Sequence, residues 1–280
     1  MRLNQRLILK YIRTKFKLLS AISKRKAASK AFELFCTPQY RNKKKLPKIF
    51  TEAEILHFPF QQYRITGYRW NKDGIKKVLI LHGFESSVIN FDRYVKPLIR
   101  KNYCVMAFDA PAHGRSTGKT VNVITYKILI NHLYENYGPI YGFIAHSFGG
   151  LALCLAAEEW NYKEEIKMAL IAPATETKTA ANSLFQILKL NDEVQEEFHK
   201  IIEEQSGHST EWFSIVRAAQ NIKNQVLFLQ DKNDNMTPYC DIEPLIEKNY
   251  SNFRFIITEG LGHRRIYRDN KVVKAIIDFL

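Results

Sequence analysis

At 280 residues with 46% hydrophobic and 12% aromatic content, the chain can bury one sizeable core, and disorder throughout is excluded. The formal charge of +14 is confined to one end: the first fifty residues hold fifteen Lys/Arg and one acid, Glu33, which leaves 27 basic and 27 acidic residues from 51 onward. The body is therefore electrically balanced, which argues against a nucleic-acid-binding role for it and leaves the basic end to be explained separately.

From Leu3 to Ile22 the apolar residues Leu3, Leu7, Ile8, Tyr11, Ile12, Phe16, Leu19 and Ile22 recur at helical spacing, with Arg2, Arg6, Lys10, Arg13 and Lys17 between them. Two surroundings suit this basic amphipathic helix. One is an anionic membrane surface, where the cations snorkel and the apolar stripe inserts shallowly; the other is the protein's own domain. A second helix is expected over Lys24–Cys36, closed by Thr37-Pro38, and Arg41–Lys48 reads as a solvated basic linker containing Pro47. Residues 1–50 thus form an extension, of which 1–48 is the candidate membrane contact, and the main body is expected over 51–280.

Eight short apolar runs in the body read as strands: Glu54–Phe58, Tyr63–Trp70, Val78–Leu81, Cys104–Phe108, Tyr141–Ala145, Met168–Ile171, Val226–Gln230 and Phe253–Thr258. Helical patterns at Phe91–Asn102, Thr120–Tyr137, Phe148–Trp160, Ile242–Asn249 and Lys271–Leu280 separate most of them. This alternation predicts an α/β fold with a mainly parallel sheet of about eight strands and helices on both faces. Functional side chains are then expected in the loops at the carboxyl ends of the strands.

The first such loop, His82-Gly83-Phe84-Glu85, makes a turn whose Phe84 amide can point at a developing oxyanion. Glu85 is either a polar lining residue beside it or a surface charge. In Asp109-Ala110-Pro111-Ala112-His113-Gly114-Arg115-Ser116 the reactive-looking Asp109, His113 and Arg115 read as pins of a long loop rather than as catalysts. The strand ending at Ala145 then turns through His146-Ser147-Phe148-Gly149-Gly150 into a helix, which exposes a serine hydroxyl on a strained turn that needs small residues two positions either side. Ala145 and Gly149 fulfil that need, although the usual pattern has glycine at the first position. Ser147 is the candidate nucleophile, Phe148 the second oxyanion donor, and His82 and His146 supports.

About fifty residues, Pro173–Lys223, separate the sixth and seventh strands. Helices are expected there over Ala180–Leu190, Glu193–Glu204 and Trp212–Gln220; Leu184, Phe185, Phe198 and Trp212 among them either roof an apolar acyl pocket or only pack the insert. After the seventh strand, Asp231 and Asp234 both fall in one loop. An aspartate at the loop's start more often organises its turn, so Asp234 is the candidate acid. His263, in Gly260-Leu261-Gly262-His263 after the last strand, is the candidate base, since a serine hydroxyl needs a histidine to take its proton and a carboxylate to hold that histidine.

These five ordered motifs resemble the α/β-hydrolase superfamily over roughly residues 54–280, and His-Gly-Phe-Glu with Asp-Ala-Pro-Ala-His-Gly-Arg-Ser looks like a largely uncharacterised bacterial branch. The resemblance implies a serine hydrolase acting on a small carboxylic ester or thioester, a helical cap at about 173–223, and the chain order Ser147, Asp234, His263. No cofactor or metal is called for. The four cysteines, Cys36, Cys104, Cys154 and Cys240, lack CxxC spacing and read as buried free thiols, and no specific nucleic-acid partner is expected. The chain lacks a secretory signal and a run of roughly 18 apolar residues, so a cytoplasmic location, with a possible inner-membrane contact, is expected. Two other readings stand beside the enzyme: a membrane-surface binding protein with an inactive hydrolase body, and non-hydrolytic chemistry, lyase or cofactor-free peroxidase, on the same fold.

Overall fold

A computed structural model of the chain describes residues 3–42, 45–160 and 165–280; Arg2 of the basic stripe and Lys43 and Lys44 of the linker lie outside them. In chain order the elements are α1 (Leu3–Ile22), α2 (Lys24–Phe35), α3 (Lys48–Thr51), β1 (Glu54–Phe60), β2 (Tyr63–Trp70), β3 (Lys76–Leu81), α4 (Asp92–Arg100), β4 (Tyr103–Phe108), α5 (Val123–Tyr137), β5 (Gly142–His146) and α6 (Phe148–Ala157). There follow β6 (Lys167–Ile171), α7 (Thr177–Leu188), α8 (Asp192–Ser206), α9 (Ile215–Ala218), β7 (Gln225–Asp231), α10 (Glu243–Glu247), β8 (Phe253–Thr258), α11 (Gly262–Arg265) and α12 (Asn270–Phe279). Contacts divide the chain into two compact units, Met1–Thr37 with Glu176–Phe213, and Pro38–Thr175 with Ser214–Leu280.

The second unit holds an eight-stranded sheet in the order β1-β2-β4-β3-β5-β6-β7-β8. β2 runs antiparallel to β1 and β4, and the strands from β4 to β8 are parallel. One row across the sheet, Ala107, Ile80, Ile144, Ala169 and Leu227, is fully buried with Tyr94, Val95 and Leu98 of α4 and Val272 and Ile276 of α12. On the opposite face Phe108 packs on Tyr137 of α5 and Phe143 on Trp160. Coverage of both faces is why Val78–Leu81 is apolar at every position instead of alternating. Because the parallel strands point one way, the loops after β3, β4, β5, β7 and β8 gather at one sheet edge.

In the first unit α2 packs on α8. Ala27, Ala28 and Ala31 of α2 are fully buried and let the backbones approach, while Phe32 and Phe35 meet Phe198 edge-on at 5.7 and 5.6 Å between centroids. Phe185 packs on the same ring at 5.0 Å, so Phe185 and Phe198 form this unit's own core. Exposed ion pairs Lys24–Glu193, Arg25–Glu204 and Arg25–Glu197 run along the seam and add little to stability individually.

Three local expectations need correction. Trp212–Gln220 is not one helix: Phe213 has non-helical backbone (φ −81°, ψ 70°), and Ser214 caps the separate four-residue α9 by accepting from the Arg217 amide. Cys36, Cys104 and Cys154 are buried, but Cys240 is exposed. The linker is not solvated throughout, since Asn42 is buried and the Arg41 guanidinium donates to the Ser116 carbonyl. Among the described residues no helix is long and apolar enough to cross a membrane.

Candidate active site

Ser147 stands between β5 and α6 with φ 52° and ψ −121°, a backbone conformation that residues with a side chain rarely adopt. The surroundings hold it there. Its N–H donates to the Ile171 carbonyl (3.1 Å), and its own carbonyl accepts from the Gly150 and Ala174 amides (2.9 and 3.1 Å). The tight approach explains the neighbouring glycines: a Cβ on Gly149 would stand 2.6 Å from the His82 carbonyl oxygen, and one on Gly83 would stand 2.8 Å from the Ser147 Cβ. Ala145 is fully buried and fits where glycine is usual.

β7 and β8 bring the partners. His263 Nε2 lies 3.0 Å from Ser147 Oγ, and His263 Nδ1 lies 2.8 Å from Asp234 Oδ2. A carboxylate only accepts, so Nδ1 carries the proton and Nε2 is left to accept from the serine hydroxyl. Burial alone would raise the Asp234 carboxyl; the hydrogen bond from His263 and its electrostatic attraction, with the Thr237 and Met236 amides, outweigh it and hold the group below its ordinary value. Asp231 is the turn organiser: its Oδ1 accepts from the Asn233 amide (3.0 Å), and its Oδ2 from the Thr258 hydroxyl (2.7 Å) and the Leu261 amide (2.9 Å). It ties the His263 loop to β8 without touching His263.

Phe84 and Phe148 are brought side by side, their rings edge-to-face at 5.7 Å. The Phe148 amide is the first of α6, and such amides have no partner within their own helix.

The profile of the family described as serine aminopeptidase, S33, matches residues 73–214, just over half of the chain. The chain belongs to this α/β-hydrolase family. The uncharacterised protein YqkD of Bacillus subtilis (strain 168) is 24% identical over 233 residues, 78% of this chain and 75% of its own length. The Pyrococcus furiosus esterase Pf2001 superposes with a TM-score of 0.65 at 21% identity, covering 87% of this chain and 95% of that one. Est1E from Butyrivibrio proteoclasticus, solved with ferulic acid bound, gives 0.65 at 17% identity over 80% of this chain and 97% of its own.

Around the serine of this hydrolase-family chain, the other reactive-looking residues are occupied structurally. Asp109 is fully buried; its Oδ1 accepts from the Ser87 hydroxyl (2.8 Å) and the Val88 amide (3.1 Å), and its Oδ2 from the Arg115 amide (2.9 Å). Burial raises its carboxyl, with those three donors opposing. His82 Nε2, 3.8 Å from Asp109, makes no ion pair with it. That nitrogen accepts from the Ala110 amide (2.9 Å) while Nδ1–H donates to the Gly83 carbonyl (2.7 Å), which uses both ring nitrogens of the neutral form. His113 is held likewise, donating to the Pro111 carbonyl (2.9 Å) and accepting from the Glu85 amide (2.9 Å). Glu85 is partly exposed. It takes a left-handed backbone (φ 54°), and its carboxylate accepts from the Gln39 amide (2.8 Å), fastening the segment just before the linker to the loop that carries Phe84.

One contributor, Thr237, escaped sequence reasoning, and so did the partner of His146, which the sequence marks only as a support. Thr237 Oγ1 donates to Asp234 Oδ2 (2.9 Å) and lies 3.2 Å from His263 Nδ1; its only sequence signal is the Asp-x-x-Thr spacing, which returns a side chain to the aspartate. His146 Nε2–H donates to the backbone carbonyl of His263 (3.1 Å), a contact between residues 117 apart that no local pattern signals.

Burial pushes His82 down to about 4; burial, then the charge of a neighbouring histidine, pushes His113 and His146 down to about 3. The unfolded chain takes up these protons near the ordinary 6.5 and the folded chain does not. Stability from these groups is therefore intact above 6.5 and falls, by up to about 1.4 kcal/mol per pH unit for each histidine, as pH drops toward those lower values. Urea-unfolding midpoints measured from about pH 7 down to 5 are expected to decline steadily. A midpoint that stays flat over that range would exclude three buried neutral histidines.

Proposed function

We propose that this protein is a serine hydrolase that cleaves a carboxylic ester or thioester through an acyl-enzyme intermediate. The hydrogen-bonded chain from Ser147 Oγ through His263 to Asp234 carries this reading. Ser147 Oγ attacks the acyl carbon as His263 Nε2 takes its proton, and Asp234 stabilises the imidazolium through Nδ1–H. The Phe84 and Phe148 amides receive the oxyanion; each such donor is worth about 3 to 4 kcal/mol in the transition state. Collapse expels the alcohol or thiol with the proton from His263. Water, deprotonated by the same nitrogen, then attacks the acyl-serine and releases the acid.

The family description names a peptidase, and the two structural relatives are called esterases or bind an aromatic acid, so the leaving group is the point to test. A panel of p-nitrophenyl esters, acyl thioesters and aminoacyl anilides of rising acyl length is expected to show turnover on the first two classes. A fluorophosphonate probe is expected to label Ser147 alone. Labelling elsewhere, or turnover confined to anilides, would refute the reading.

A further inference from the structure

The packing of α1 separates its two faces. Phe16 is buried within the helical unit, Leu9, Ile12 and Leu19 are half-buried, Arg13 Nε donates to the Ile187 carbonyl (2.7 Å), and Ser20 donates to Asn191 Oδ1 (3.4 Å). These residues share one side, so α1 cannot turn over without losing them. The opposite side carries Leu7 (59% exposed), Tyr11 (70%), Leu18 (62%) and Ile22 (78%), which at 3.6 residues per turn fall within a stripe of about 60°, with Ile8 (60%) at its margin. A helix that binds only its own unit has no use for a second apolar stripe about 23 Å long.

The charge on α1 is equally uncommitted. α1 holds Arg6, Lys10, Arg13, Lys15 and Lys17 and no acid. On α2, by contrast, Lys24, Arg25 and Lys30 each meet a glutamate. Among the described residues none of Arg6, Lys10, Lys15 or Lys17 has a carboxylate partner within 4.0 Å. Lys15 lies at one edge of the stripe, between Ile22 and Ile8 around the helix, and Lys10, Lys17 and Arg6 follow one another beyond its other edge.

We infer that α1 docks on an anionic lipid surface, lying in the interface with Leu7, Tyr11, Leu18 and Ile22 toward the acyl chains and its cations at the headgroups. Charge complementarity selects this occupant. A second copy of the chain would bring two acid-free cationic helices together, and a nucleic acid would leave the apolar stripe unburied. The helix is not apolar enough to insert across a bilayer. The inference rests on α1 alone and is independent of the acyl-hydrolase reading.

The test is co-sedimentation of the full chain with vesicles of phosphatidylcholine alone or mixed with phosphatidylglycerol. Binding is expected to the mixed vesicles only, and to weaken as salt is raised. The triple substitution Leu7→Ser, Tyr11→Ser, Leu18→Ser and the double substitution Lys10→Glu, Lys17→Glu are each expected to lower partitioning at least ~tenfold, with thermal unfolding followed by circular dichroism unchanged. Equal binding to both vesicle types, undiminished binding of the triple variant, or a concentration-dependent dimer that the triple variant abolishes would overturn the inference. Should either variant unfold, hydrogen exchange of the wild-type chain decides. Protection of Leu7–Ile22 by mixed vesicles supports docking, and its absence overturns it.

Discussion

Replacing Ser147 by alanine is expected to lower ester turnover by about ten-thousandfold or more and to abolish fluorophosphonate labelling, with the fold retained. The side chain is a small part of what holds the turn. Its backbone is fixed by the Ile171 carbonyl on one side and by the Gly150 and Ala174 amides on the other, all of which survive the substitution. The strain at φ 52° also survives, because alanine keeps the Cβ that makes this conformation costly. Ser147→Gly removes it. The glycine variant is therefore expected to be equally inactive yet more stable than the alanine variant by about 1 kcal/mol, the strain relief being partly offset by the greater freedom of glycine in the unfolded chain. Thermal unfolding of the two variants measures this directly. Equal stability would remove strain from the account of the turn, and an active alanine variant would remove Ser147 from the chemistry.

The strands were legible because the sheet is covered on both faces, so Val78–Leu81 and Val226–Leu229 stand out as short unbroken apolar runs. Proximity within the candidate site was legible for a related reason: Ser147, Asp234 and His263 each follow closely on the carboxyl end of a parallel strand, and one sheet edge gathers them. What escaped depends on contacts distant in sequence. Nothing local in Lys24–Phe35 says that its alanines fit against α8, about 170 residues away. Nothing in Arg41–Lys48 says that the linker leans on Ser116, or in Gln39 that its amide meets Glu85. The misread Trp212–Gln220 segment has helical spacing, but the backbone turn at Phe213 and the cap at Ser214 take precedence over that periodicity.

The two aspartates of one loop separate chemistry from architecture. Asp234→Asn keeps an oxygen for the Met236 and Thr237 amides, which bind Oδ1 (2.8 and 3.0 Å), so the new amide NH2 takes the Oδ2 place facing His263 Nδ1 and the Thr237 hydroxyl. A donor there favours the tautomer with Nδ1 bare and Nε2 protonated, which cannot accept the serine proton. Turnover is expected to fall by about ten-thousandfold with KM little changed. Asp231→Asn instead weakens the tether of the His263 loop at Thr258 and Leu261, and is expected to cost about 1 to 3 kcal/mol of stability, with turnover reduced far less than by Asp234→Asn. Acid separates the wild type from both variants in a further way. Both carboxyls are held below the ordinary aspartate value, so the stability they contribute is present above that value and is lost as pH falls through the lower folded one. Each asparagine variant should then lose less stability than the wild type as pH falls below about 4, in addition to its deficit at neutral pH. If Asp231→Asn proved the more damaging to turnover, the assignment of the two carboxylates would have to be reversed.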